Sequence, residues 1–152
     1  MSKKIIYLDN AATTPLDPKV LTAMMPYLQG EFGNASSLHT LGLNNRVAVD
    51  RAQATVASFL GAQKSEVYFT SGATESDNMA IFGPLRALQA KFPGRRWQII
   101  VSSIEHDAIL EPAKQLAKED VEVVFLPVGS DGIVKVEELK KVFLIIADND
   151  VY

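Results

Sequence analysis

The chain has 152 residues, 47% of them hydrophobic, no cysteine and a formal net charge of −3 at pH 7. This length and apolar content suffice for one hydrophobic core, which excludes intrinsic disorder. The longest apolar run, Val142 to Ala147, is far shorter than the roughly 20 residues that span a bilayer. The acidic balance gives no basic footprint for nucleic acid. We therefore expect no membrane partner and no nucleic-acid partner.

The N-terminal segment and the missing cysteines indicate where the protein works. Asp9 and Asn10 interrupt the first apolar stretch before it could act as the hydrophobic part of a secretory signal, so a cytoplasmic location is expected. Without cysteine, these residues form no disulfide, no thiolate metal site and no cysteine nucleophile. The two histidines are far apart and the carboxylates lack ligand spacing, so no metal site is expected.

Apolar residues recur at helical spacing in two segments of the first half. Asp17 and Pro18 form an N-cap and N1 pair that predicts the start of the first helix, and Pro26 should kink or shorten it. The second helix is predicted to end before Gly61, a residue suited to the left-handed C′ position. A short buried strand is predicted over 66–69.

Helices and β-rich runs alternate in the second half, as is typical of α/β proteins. A helix that begins near Thr74 is predicted to stop at Gly83 and to resume from Pro84, because proline disfavours the α conformation in the residue before it. The remaining predicted elements are a strand over 98–103, a helix over 109–117, a strand over 121–126 and a short helix over 135–141. No linker-like stretch marks a domain boundary.

A loop of small residues connects the strand predicted over 66–69 to the next helix. Its sequence is Ser71-Gly72-Ala73-Thr74-Glu75. Amides at a helix start, reinforced by the helix dipole, bind anions, so a phosphate could accept hydrogen bonds from the Gly72, Ala73 and Thr74 amides and from the Ser71 or Thr74 hydroxyl. The loop has neither the P-loop ending nor three spaced glycines, so ATP and NAD are not indicated. The alternative is a tight turn with Thr74 as the N-cap.

His106 is the second candidate for a functional residue. It follows the strand over 98–103 and precedes a helix, which places it at the carboxyl end of a strand, where open α/β sheets bind ligands. An imidazole there could stack on a flat cofactor ring or move protons near neutral pH. The alternative is a solvent-facing turn histidine beside Glu105 and Asp107. His39 is interpreted as a turn residue.

Four motifs occur together in a fixed order. They are Tyr7 to Pro15, Phe32 to His39, Phe69 to Asn78 and Glu105 to Leu110. In this combination the chain resembles the pyridoxal-phosphate-dependent class V aminotransferases, and among them the NifS/IscS-type cysteine desulfurases. The resemblance implies a partial three-layer α/β/α transferase fold, like the large domain of aspartate aminotransferase, with an N-terminal helical arm. It also implies an arm and small-domain helix over about 1–45, the start of the cofactor-binding large domain over about 46–141, and a tail over 142–152 that departs from the family pattern.

The resemblance further implies a cofactor, a reaction and partners. In family members, the loop that matches Gly72, Ala73 and Thr74 holds the phosphate of pyridoxal phosphate. The residue that matches His106 stacks on the pyridine ring and assists acid/base steps, which would make His106 a catalytic residue. The implied reaction converts L-cysteine to L-alanine and passes the sulfur through an enzyme cysteine to an acceptor protein, for iron-sulfur cluster or thio-cofactor biosynthesis. Such enzymes are homodimers.

Two groups that this reaction needs are missing from the 152 residues. The family binds its cofactor to a lysine that follows a histidine, and here no lysine follows a histidine and no cysteine is present. We expect the amino-terminal part of a cysteine desulfurase. The alternatives are a truncated, non-catalytic fragment that binds pyridoxal phosphate weakly, or another class V enzyme such as a selenocysteine lyase. A truncation, an interrupted gene or a frame change near Val142 would each produce the ending seen.

Overall fold

The structure is a computed structural model that describes the backbone of residues 5–149 and the side chains of residues 5–142. The chain divides into two compact units, with the boundary between Tyr68 and Phe69. In chain order the elements are α1 (Pro18–Gln29), α2 (Thr40–Leu60), a 3-10 turn (Lys64–Glu66), α3 (Ala73–Lys91), β1 (Trp97–Ser102), α4 (Asp107–Leu116), β2 (Val121–Leu126) and α5 (Val136–Asn149).

The helices of the first unit begin and end at capping residues. The carboxylate of Asp17 accepts a hydrogen bond from the Lys19 amide at 2.7 Å, which confirms the predicted start of α1. That helix continues through Pro26 to Gln29, so Pro26 does not shorten it, and the predicted kink stays a prediction. Gly61 ends α2 in the left-handed conformation at φ 66°, as predicted.

The prediction of a strand over 66–69 is wrong. Glu66 instead closes the 3-10 turn, because its carboxylate accepts a hydrogen bond from the Gln63 amide at 2.7 Å. Of the apolar residues that follow, Val67 is buried whereas Tyr68 and Phe69 are exposed. In the apolar run over 67–69, only Val67 is therefore buried. The hydrogen bond between Glu66 and Gln63 stabilises a 3-10 turn where a strand was predicted to begin.

The second unit is a strand-helix-strand arrangement. Strands β1 and β2 pair in parallel, from Trp97 opposite Val121 to Ser102 opposite Leu126, and α4 forms the crossover between them. Helices α3 and α4 pack against each other, and their core cluster consists of Leu85, Leu116 and Val121. This arrangement confirms the predicted α/β class. The predicted limits of arm and large domain stay a prediction.

Helix α3 does not end at Gly83 as predicted but continues through Pro84 to Lys91. A proline inside a helix costs about 3 kcal/mol, because it removes one hydrogen bond and crowds the preceding turn. Leu85 is only 6% exposed and packs in the core with Leu116, and burying such a side chain contributes about 1.5–3 kcal/mol. Ile81 and Phe82, before Pro84, also pack against this cluster, and burial on both sides of Pro84 together outweighs the local preference for a helix end.

The other elements lie close to their predicted positions. Strand β2 has the predicted bounds, and β1 and α4 begin one and two residues earlier than predicted. Helix α5 extends to Asn149, beyond the predicted end at Lys141. The last part of the tail predicted over 142–152, residues 150–152, lies outside the described residues.

Leu116→Ala should lower the free energy of unfolding by about 2–5 kcal/mol, because Leu116 is fully buried and its removal leaves a cavity. The measurement is urea unfolding followed by fluorescence of Trp97, the one tryptophan of the chain, which packs against the same cluster. Ile133→Ala is the matched control, since Ile133 is 62% exposed. Equal losses in the two variants would contradict the assigned core.

Candidate functional site

The start of α3 is held by Glu75 and not by Thr74. Gly72 is the N-cap and has no side chain to cap the helix. The helix begins at Ala73, which makes Thr74 its second residue, so the alternative of a Thr74 N-cap is wrong. The Glu75 carboxylate turns back and accepts hydrogen bonds from the Ser71 amide at 2.7 Å and from the Ser71 hydroxyl at 2.6 Å. Thr70 and Ser76 are joined by a further hydroxyl pair at 2.6 Å.

These hydrogen bonds decide which loop groups remain for a ligand. The two hydrogen bonds from Ser71 lower the pKa of Glu75 below its ordinary value, and the bond from the Ser71 hydroxyl has a larger effect than the bond from the Ser71 amide. The Ser71 hydroxyl, one of the predicted phosphate donors, is thereby engaged. Within residues 5–149 the hydroxyl of Thr74 makes no hydrogen bond. Thr74 is therefore the hydroxyl that remains to bind an anion.

The space in front of α3 is open. A Cβ added to Gly72 would meet no atom within 4 Å, so the fold itself does not require glycine there. The first amides of a helix have no acceptor in the helix and point toward an incoming anion. Gly72, Ala73 and Thr74 thus supply backbone donors at a helix start where the space beside Gly72 is open.

His106 begins α4. Its Nδ1 accepts a hydrogen bond from the Ala108 amide at 3.0 Å, which makes His106 the N-cap of the helix. The side chain is exposed, as the turn-histidine alternative expected, but its ring is held by this bond. His39 is likewise more than a turn residue, since its Nδ1 accepts from the Gly42 amide at 3.3 Å and caps α2.

One cavity brings the two candidate regions together. It has a volume of about 630 Å³ and is lined by both Thr74 and His106. The other lining residues are Asn78 and Phe82 from α3, and Asp107, Ala108, Glu111, Pro112 and Gln115 from α4. The cavity therefore lies along the packed faces of the two helices, with a helix start from each at one end. The catalytic role of His106 and the phosphate-binding role of the loop stay predictions.

Asn78 is a site residue that the sequence reasoning missed. Its side-chain amide donates a hydrogen bond to the Thr74 carbonyl at 2.8 Å, and it lines the cavity one helical turn after Thr74. Residues four apart lie on one helix face, so the spacing of Thr74, Asn78 and Phe82 carried a signal that could have identified it.

Charge distinguishes the two walls of the cavity. Asp107 and Glu111 place carboxylates on the α4 wall, and Glu111 is paired with Lys114 at 2.6 Å, which raises the pKa of Lys114. The α3 wall offers backbone amides and the Thr74 hydroxyl. An anionic group of a ligand is therefore favoured beside Thr74 and disfavoured beside α4.

A polar contact joins the two helices far from the cavity's amide end. Arg86 of α3 forms an ion pair with Glu119, just after α4, and Gln115 donates to the same carboxylate at 3.1 Å. Arg86 first and Gln115 second lower the pKa of Glu119. This pair is solvent-exposed and adds little stability, so apolar packing sets the distance between the helices.

Membrane and metal features can be assessed for the part of the chain that the structure describes. Among these residues, none of the helices is long and apolar enough to cross a membrane. Over the same residues, no three histidine, cysteine, aspartate or glutamate side chains cluster as a metal ion would need.

Comparison with known proteins decides the family. The model of the Aminotransferase class-V family matches residues 6–146. The chain belongs to this family. It is 47% identical over 139 residues to the cysteine desulfurase IscS of Dictyoglomus turgidum, which covers 91% of this chain and 34% of that protein. Human cysteine desulfurase is 43% identical over 136 residues, covering 89% of this chain and 29% of that protein.

Solved structures agree with this assignment. A NifS-like protein superposes with a TM-score of 0.77 at 39% identity, covering 87% of this chain and 35% of that one. DndA from Streptomyces lividans superposes with a TM-score of 0.73 at 43% identity, covering 90% and 37%. These matches confirm the predicted resemblance and the partial α/β fold of this class. The chain spans about a third of the length of the curated relatives it matches.

The Glu75 carboxyl should titrate below its ordinary value of 4.5, because ionised Glu75 accepts two hydrogen bonds from Ser71. A lowered pKa means that the loop contact is intact above 4.5 and is lost as the pH falls through the lowered value. The measurement is the carboxyl ¹³C chemical shift against pH.

Ser71→Ala removes the larger cause of the shift and should move the midpoint back toward 4.5. Ser103→Ala is the matched control, because Ser103 is exposed and, among the described residues, forms no hydrogen bond with Glu75. A wild-type midpoint at or above 4.5 would refute the assigned contact.

Proposed function

We propose that this chain supplies the phosphate-binding loop and the ring-stacking histidine of a pyridoxal-phosphate-dependent cysteine desulfurase. The observation that carries the proposal is that Thr74 and His106, far apart in sequence, line one cavity. Relatives of this chain at 43–47% identity carry the name cysteine desulfurase, which supports this choice among class V enzymes.

The residues present fit the cofactor's two chemical ends. The phosphate would be held by the Gly72, Ala73 and Thr74 amides and by the Thr74 hydroxyl, and the space beside Gly72 is open, since an added Cβ there would meet no atom within 4 Å. His106 would provide the imidazole on which the flat ring stacks. Pyridoxal phosphate supplies an electron sink for bond cleavage in an amino-acid substrate.

The chain's own residues position these groups. Glu75 fixes Ser71 and thereby the path of the loop, while Asn78 donates to the Thr74 carbonyl at 2.8 Å. Asp107 and Glu111 on the α4 wall disfavour a phosphate there, so they orient the cofactor with its phosphate toward α3. Backbone amides on the α3 wall and carboxylates on the α4 wall would thus determine the orientation.

The proposed reaction takes L-cysteine to L-alanine and passes sulfur to an acceptor protein, for iron-sulfur cluster or thio-cofactor synthesis in the cytoplasm. The proposed assembly is a homodimer. These 152 residues contain no cysteine and no lysine that follows a histidine, so the sulfur-carrying thiol and the cofactor-linking lysine would come from outside them. The same composition favours one second candidate, a protein that binds the cofactor without turnover.

Thr74→Val should weaken binding of pyridoxamine phosphate by about tenfold to a hundredfold, because it removes one hydroxyl donor to a charged group at unchanged size. Pyridoxamine phosphate is the right probe, since it lacks the aldehyde that would react with surface lysines. Isothermal titration calorimetry of the purified protein measures the affinity. Phosphate-free pyridoxamine should bind far more weakly, because the loop recognises the phosphate.

Thr55→Val is the matched control, because the Thr55 hydroxyl donates to the Arg51 carbonyl at 2.9 Å on an exposed helix of the other unit. Its affinity for pyridoxamine phosphate should equal that of the wild type. Equal affinities of Thr74→Val and the wild type, or equal binding of pyridoxamine and its phosphate, would contradict the assigned phosphate site.

A chimera tests the desulfurase activity. This chain replaces the 139 residues that it matches in the Dictyoglomus turgidum enzyme. We expect the chimera to release L-alanine from L-cysteine, and His106→Asn to reduce that rate, because the chain supplies the loop and the ring partner. A folded chimera that binds the cofactor but forms no alanine would contradict the desulfurase proposal and favour binding without turnover.

A further inference from the structure

The hydrogen bond at His106 fixes which ring nitrogen carries the proton. A neutral imidazole has one protonated nitrogen, and the other nitrogen alone accepts a hydrogen bond. In the structure Nδ1 of His106 accepts from the Ala108 amide at 3.0 Å, so the proton of the neutral ring is on Nε2.

This bond is part of the helix and not an incidental surface contact. The Ala108 amide is one of the first-turn donors of α4 that have no acceptor within the helix. Ala108 is only 8% exposed, so its amide needs a partner other than bulk water. The stability of the helix start and the proton position on His106 are therefore coupled.

The other nitrogen is left for the cavity. Within the described residues, Nε2 of His106 makes no hydrogen bond, and the side chain lines the cavity together with Thr74 and Asn78. The ring thus has one nitrogen committed to the helix and one available to a ligand.

We propose that the Ala108 amide locks His106 as the Nε2–H tautomer, so that the ring offers the cavity a hydrogen-bond donor and no acceptor. Ala108 acts through its backbone as a positioning residue. A proton taken up by this neutral ring goes to the Nδ1 lone pair and breaks the N–H···N bond from Ala108. With the cofactor of the proposed function bound, on which this last step rests, the His106 ring would stack on the pyridine ring, and Nε2–H would be its hydrogen-bond donor toward the cavity.

The test is ¹⁵N NMR of the two ring nitrogens in the ligand-free protein at about pH 9, well above the ordinary histidine pKa of about 6.5. His39→Asn assigns the signals, because the chain has 2 histidines. We expect the His106 signals of a single tautomer, with Nδ1 unprotonated and Nε2 protonated. Ala108→Pro removes the donating amide at a position where the first helical turn tolerates proline, and should shift both signals toward a mixture.

Two further variants keep the inference testable if Ala108→Pro does not fold. His106→Asn retains an N-cap acceptor and should leave hydrogen exchange at the Ala108 amide unchanged, whereas His106→Ala should speed that exchange about fivefold or more. A wild-type ring protonated on Nδ1, a tautomer unchanged in folded Ala108→Pro, or equal exchange in the two His106 variants would overturn the inference. These readouts need no ligand, so failure to bind pyridoxamine phosphate overturns the proposed function alone.

Discussion

The packing of α3 against α4 is the constraint on which the candidate site depends. Leu85 of α3 and Leu116 of α4 meet Val121 of β2 in one buried cluster, and α4 is the crossover between the paired strands β1 and β2. Because α3 packs against α4, residues from both helix starts line one cavity. Neither the loop nor His106 forms a site alone.

The two helix starts solve the same capping problem differently. At α3 the N-cap is a glycine, so the first amides remain for an anion, and Glu75 stabilises the loop from inside the helix. At α4 the N-cap is His106, whose Nδ1 takes the Ala108 amide and leaves the ring's other nitrogen for the cavity. Backbone donors at one helix start and an aromatic donor at the other suit a ligand with a phosphate and a flat ring.

The sequence predicted the local parts of this site better than their arrangement. The positions of Gly72 to Thr74 at a helix start and of His106 after a strand followed from short-range patterns, and the bounds of β2 were predicted correctly. The continuation of α3 through Pro84 was missed because the burial of Leu85 is a tertiary effect that local preference does not contain. The shared cavity could not be derived from residue patterns for the same reason, since it depends on α3–α4 packing.

A crystal structure of this protein with pyridoxamine phosphate would test the central claim most directly. We expect the phosphate within hydrogen-bond distance of the Thr74 amide and hydroxyl, with the His106 ring facing the pyridine ring. A phosphate bound on the α4 wall beside Asp107, or a ligand that contacts Thr74 with His106 turned away, would contradict the shared site.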